Sequence, residues 1–136
     1  MRMKILLFVT AVIEIGAGLA LVALPSLMVK LLLGSPLDMP AALIVARLAG
    51  VALFVLGFSC WLARLDVQSR AARGLVVAMV LYNFGVVVIL GAAGVWPQPV
   101  GVALWPAVVL HAAMAVWCIA CLRSKCMRTP GRLNAV

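Results

Sequence analysis

Long apolar runs, broken by short polar or Gly/Pro-rich segments, organise this chain, and polar residues gather at the run ends instead of alternating within them. The first run extends from Ile5 to Leu24 behind Arg2 and Lys4 and is interrupted only by Glu14. It resembles a signal peptide, but its length, its internal carboxylate and the lack of a small-x-small site before Pro25 predict a retained helix. Pro25 ends or kinks that helix, and Ser26 to Leu33, with Lys30 on one side, predicts a short helix lying at the membrane interface, closed by Gly34-Ser35-Pro36. A second run starts near Asp38 and Pro40, read as a capping residue and a first-turn proline, and continues to Ala63 with Arg47 inside it. Ser69 is a candidate cap for the third run, Gly74 to about Ala93. The uncharged segment Gly91 to Gly101 (GAAGVWPQPVG) predicts a loop. The last run begins between Val100 and Pro106, ends near Leu122 and leads into a basic tail. Runs of about 20 residues suit a bilayer core at a rise of about 1.5 Å per residue. The expected fold is therefore all-α: an integral membrane bundle with four transmembrane helices over about 5–24, 40–63, 74–93 and 101–122. These make one domain, 1–129, followed by a basic cytoplasmic tail, 130–136.

Composition agrees, because 68% hydrophobic and 10% charged residues cannot make a soluble globule. A mean hydropathy of +1.29 leaves no stretch for a separate soluble domain. The net charge of +8 does not point to nucleic acid, since the basic residues flank apolar runs and form no stripe; anionic lipid head groups are the simpler partner. The count of basic residues also sets the orientation. Arg2 and Lys4, then Arg64, Arg70 and Arg73, then Arg123, Lys125, Arg128 and Arg132 lie on one side, and Lys30 alone on the other. The positive-inside rule predicts both termini in the cytoplasm, with a bacterial inner membrane as the expected location. Trp96 and Trp105 then fall at the outer interface, Trp61 and Trp117 toward the inner one.

Cys60, Cys118, Cys121 and Cys126 all lie toward the cytoplasmic ends, which argues against structural disulfides. Cys118 and Cys121 have redox or zinc spacing, yet they sit in an apolar helix with no second ligand pair and read as small apolar filler. Cys126, among basic residues next to the membrane, is a candidate palmitoylation site. Small residues mark where helices approach: Gly16 and Gly18 in the first span, and Ala46, Gly50 and Gly57 in the second, the latter glycines sharing a face with Arg47 and Phe54 that is expected to point into the bundle.

Candidate chemistry rests on Glu14, Arg47, Asn83 and His111, one on each span, with Tyr82 as a fifth member. Ionised groups at membrane depth cost several kcal/mol and are expected to face inward and find partners. Helical rise puts Glu14, Asn83 and His111 at one level, with Arg47 higher and its long side chain able to reach Glu14. Such a cluster serves as a binding or proton-handling site, or as an ion pair and hydrogen bonds that fix packing. A lone histidine cannot supply bis-histidine haem ligation, a Glu-His pair is too few ligands for zinc, and no phosphate loop or serine nucleophile motif is present.

The short spans, the small residues ahead of Pro25 and the segment ARLAGVALFVLGF in the second span resemble the broad DoxX-like group of small bacterial membrane proteins. That resemblance implies a lipid-soluble ligand such as a quinone, since some members are membrane subunits of quinone-linked oxidoreductases. Small multidrug-resistance transporters also have four helices and an essential glutamate in the first, but Glu14, followed by IGAGLALVA, lacks their fuller signature, and Arg47 and His111 are foreign to them. The working expectation is an accessory redox or lipid-metabolism component whose cluster binds a small or quinone-like group. Proton-coupled transport and a ligand-free scaffold, as a homo-oligomer or a subunit of a membrane complex, are the alternatives. Transport predicts a water path to Glu14, ligand binding predicts an apolar pocket beside the cluster, and scaffolding predicts neither.

Overall fold

The computed structural model describes residues 2–96 and 100–126, without the side chains of Lys125 and Cys126. The centre of the expected loop at 97–99, the side chain of the candidate lipidation site Cys126 and the basic tail lie outside what the structure describes. Five helices make up nearly all of the rest: α1 (Arg2–Ala23), α2 (Pro25–Leu33), α3 (Pro40–Ala63), α4 (Arg70–Val95) and α5 (Leu104–Cys126). All but α2 are long and apolar enough to cross a membrane, which is the pattern of a multi-pass membrane protein.

The helix boundaries follow from local chemistry, and some differ from the sequence expectation. Pro25 separates α1 from α2 and occupies the first turn of the latter, and Gly34 ends α2 in the left-handed region (φ 79°), donating its N–H to the Lys30 carbonyl. Asp38 is not the cap of α3. Met39 holds that position in an extended conformation, with no side-chain cap, because a residue that precedes proline is pushed out of the helical region. Ser69 does cap α4, its Oγ accepting from the Ala72 N–H at 3.0 Å, so the helix begins at Arg70, not Gly74. At its other end α4 continues through Gly91 and Gly94, which the sequence reading gave to a loop. Glycine alone does not stop a helix whose neighbours supply packing; here Leu104 and Trp105 lie directly against Gly94. The stop comes at Trp96, extended at φ −70° and ψ 143° because the sequence places a proline next. The last helix also runs past Leu122, carried on by Arg123 and Ser124.

Polarity is inside out relative to a soluble protein. Thr10, Glu14 and Asn83 are 2%, 3% and 1% exposed, whereas Leu81, Ile89 and Val109 are 68%, 70% and 67% exposed. That distribution places hydrocarbon outside and polar groups within, as lipid demands.

The helices pair as α1 with α3 and α4 with α5, and contacts between the two pairs are sparse. The first pair is antiparallel and close because it is built on glycine. A Cβ on Gly18 would lie 2.6 Å from the Gly50 carbonyl oxygen and from the Phe54 nitrogen, and one on Gly57 would lie 2.8 Å from the Ile15 nitrogen. Gly16, expected in the same contact, faces open space. The two pairs meet mainly at the end that carries Arg2, Arg64, Arg70 and Arg123. There Leu6, Leu7, Cys60, Val76, Met79, Cys118 and Cys121 form the core, and the Arg64 guanidinium lies over the Trp61 ring at 3.7 Å from its centroid. Toward the other end the pairs leave space between them, and α2 folds across it.

Candidate functional site

The space between the pairs is a cavity of about 810 Å³ bounded by α1, α3, α4 and α5, with Met28, Leu31 and Leu32 of α2 across one end. Its walls are apolar: Ile13, Ala17 and Leu21 on α1, Ala49, Ala52 and Leu53 on α3, Val86, Ile89 and Leu90 on α4, and Ala103, Pro106, Ala107 and Leu110 around the start of α5. Glu14, Tyr82 and His111 form the end opposite α2. Beyond them, toward the basic end of the bundle, the packed core fills the interior.

Three helices deliver these polar groups to one level. Glu14 lies opposite Gly57, whose missing side chain leaves room for the carboxylate stem; a Cβ on Gly57 would fall 2.9 Å from Glu14 Cβ. The Tyr82 hydroxyl donates to Glu14 Oε2 at 3.4 Å, across the gap between the two helix pairs. Asn83, the next residue on α4, is buried, and its Nδ2 donates to the Met79 carbonyl at 2.7 Å. Its Oδ1 faces His111 Nδ1 at 2.8 Å, and the imidazole meets the Tyr82 ring edge-on at 5.7 Å between centroids, with planes at 79°. Adjacent residues on α4 thus both contact His111, and Tyr82 alone also reaches Glu14.

Arg47 does not join them. It is exposed on α3 and makes no hydrogen bond or ion pair with the described residues. Because Gly57 sits opposite Glu14, Arg47 is ten residues farther along α3, about 15 Å past the carboxylate at about 1.5 Å per residue. The span lengths alone do not reveal the stagger of α1 on α3; the glycine contacts set it. Two parts of the site lay outside the sequence expectation. Thr10, one turn before Glu14 and on the same face, is buried beside the cluster, a position its i, i+4 spacing from Glu14 allows to be read. The α2 wall could not be read, since its placement depends on backbone bonds to the segment before α5.

Those bonds are specific. Gly101 N–H donates to the Leu32 carbonyl at 3.1 Å and Ala103 N–H to the Leu31 carbonyl at 2.9 Å, and Gly101 packs directly on the Leu31 carbonyl, where a side chain would not fit. Leu37 N–H donates to Ser26 Oγ at 3.2 Å and ties the exit of α2 back to its first turn.

Among the described residues no group of three or more His, Cys, Asp or Glu is placed to hold a metal ion. Comparison with protein-family models, with curated proteins and with solved structures gives no match for this chain.

Proposed function

We propose that this protein binds a lipid-soluble amphiphile, with the ligand's small polar head at Glu14, Tyr82 and His111 and its apolar body along the walls that lead to α2. The observation that supports this reading is the cavity itself: about 810 Å³, apolar along its length and polar at one end. Pockets for small molecules run about 300–1,000 Å³ and are mostly apolar with a few convergent polar groups. A quinone-like molecule has that division, and so does a lipid with a small head. An accessory role in membrane redox or lipid metabolism follows from that ligand class and from the DoxX-like pattern of the sequence. Transport asks for a wet route to Glu14, whereas the interior between the polar level and the basic end is filled by Leu6, Leu7, Val76 and Met79.

The orientation belongs to the same proposal. The basic end faces the cytoplasm of a bacterial inner membrane with both termini there, and α2 lies in the outer interface near Trp96 and Trp105. The cavity then occupies the outer half of the bilayer.

Mass spectrometry of the protein purified in mild detergent, with extraction of what stays bound, tests the reading. A stoichiometric apolar molecule with a small polar head is expected on the wild-type chain. Ala107→Trp, which fills the cavity from α5, should lose it and stay folded. Equal retention by both proteins would overturn the proposal.

A further inference from the structure

The hydrogen bonds around His111 define which head group the cavity accepts. Asn83 Nδ2 is committed to the Met79 carbonyl, so the atom facing the imidazole is the amide oxygen, an acceptor. Two acceptors cannot share one bond, so His111 Nδ1 carries a hydrogen and donates it at 2.8 Å. In a neutral ring the other nitrogen, Nε2, is then a bare acceptor. It has no partner within the described residues, and the side chain that bears it lines the cavity. Neither neighbour adds anything of opposite sense: the Tyr82 hydroxyl hydrogen is committed to Glu14, and Glu14, as the carboxylate that accepts it, is itself only an acceptor. A ligand whose head only accepts hydrogen bonds, such as a quinone carbonyl, meets a lone pair at His111. One that carries a hydroxyl meets its complement.

We infer, resting on the amphiphile-binding reading above, that the site selects the hydroxyl-bearing form of its ligand, a long-chain phenol or hydroquinone, through donation to His111 Nε2, and that Asn83 is the positioning residue that fixes the imidazole for it. Buried sites built to pair with a hydroxyl reject analogues that lack it, because the site's own polar group is then left unpaired.

The chain contains one histidine, so isotope-labelled histidine gives one assignable pair of ring-nitrogen resonances. In the purified protein, nitrogen NMR should report hydrogen on Nδ1 and none on Nε2. Nonylphenol and its methyl ether, in which one methyl group replaces the donor hydrogen and neither of which exchanges between quinone and quinol, serve as probes. The phenol should bind at least about tenfold more tightly and shift the Nε2 resonance. Asn83→Leu, which removes the constraint on the ring, should reduce that preference toward unity. A protonated Nε2 in the wild-type protein would overturn the inference whatever the variant does. Equal affinity for phenol and ether would overturn it too while leaving the amphiphile reading intact, whereas failure of both probes to bind would overturn both.

Discussion

Tyr82 on α4 donates its hydroxyl to Glu14 Oε2 on α1 at 3.4 Å, and so joins two helix pairs that otherwise touch little at this level. The bond does two jobs: it gives the buried carboxylate a partner, and it sets the width of the cavity at its polar end.

Separating those jobs requires variants that keep volume. Glu14→Gln retains shape and hydrogen-bonding capacity but abolishes proton exchange and charge. Under ligand binding it should leave the bundle folded and weaken affinity by about 1.5–3 kcal/mol, the worth of one charged hydrogen bond. Tyr82→Phe keeps the ring packed on His111 and removes only the hydroxyl, so its effect should be the smaller, about 0.5–1.5 kcal/mol. Titration with a bound fluorescent or isotopically labelled amphiphile measures both. Loss of all activity in Glu14→Gln at unchanged affinity would favour proton coupling instead.

The glycine contacts between α1 and α3 make a sharper prediction about stability. Gly18→Ala drives a methyl group into the Gly50 carbonyl and the Phe54 backbone, which cannot yield without moving a helix. Overpacking of this kind costs about 1–3 kcal/mol. Gly16→Ala, two residues away, meets nothing within 4 Å and exchanges glycine for a better helix former, so it should be neutral or slightly stabilising. Thermal unfolding in detergent should separate the two variants, although hydropathy treats them alike. Similar melting behaviour would mean that the helices do not approach as described.

Why one of these glycines matters and the other does not could not be read from the chain, and the reason applies to the whole site. Spans are legible because lipid penalises unpaired backbone and polar groups, so Ile5 to Leu24 or Pro40 to Ala63 declare themselves by composition. The level of Glu14, Asn83 and His111 was also legible, as a sum of helical rises from the basic end. Stagger and rotation were not. A residue such as Arg47 is a candidate by depth on a single helix, and only the contacts of Gly18, Gly50 and Gly57 reveal that it lies beyond the reach of Glu14. The loop expected over Gly91 to Gly101 was misplaced at its start, where α4 continues to Val95, because glycine is a weaker stop signal in a packed membrane helix than the proline after Trp96.

Topology is testable without a ligand. The residues Asp66, between α3 and α4, and Val102, just before α5, are both exposed and lie at opposite ends of the bundle. In a background with Cys126 replaced, a cysteine introduced at Val102 should react with an impermeant maleimide on intact spheroplasts, and one at Asp66 only after lysis. Cys60, Cys118 and Cys121 are buried and should contribute little signal. The reverse pattern would invert the orientation and move the cavity to the inner half of the membrane.

The final prediction concerns the wall made by α2. Its hold on the bundle rests on Gly101 and Ala103 donating to the carbonyls of Leu32 and Leu31, a geometry that requires Gly101 to lie flat against the Leu31 carbonyl. A methyl group at that position has nowhere to go, so Gly101→Ala should push the two segments apart and break both bonds. The cost should stay local, because α1 remains packed on α3 and α4 on α5, and neither pair uses α2 for its own contacts. Hydrogen exchange read by mass spectrometry should therefore accelerate at the amides of residues 101 and 103 while α3 and α4 keep wild-type protection. With the wall displaced, the apolar end of the cavity opens. A bound amphiphile should dissociate faster, by about tenfold for each 1.4 kcal/mol of lost contact, at nearly unchanged association rate. Should exchange rise at 101 and 103 with no change in dissociation, α2 would be a surface element and the ligand's body would lie elsewhere.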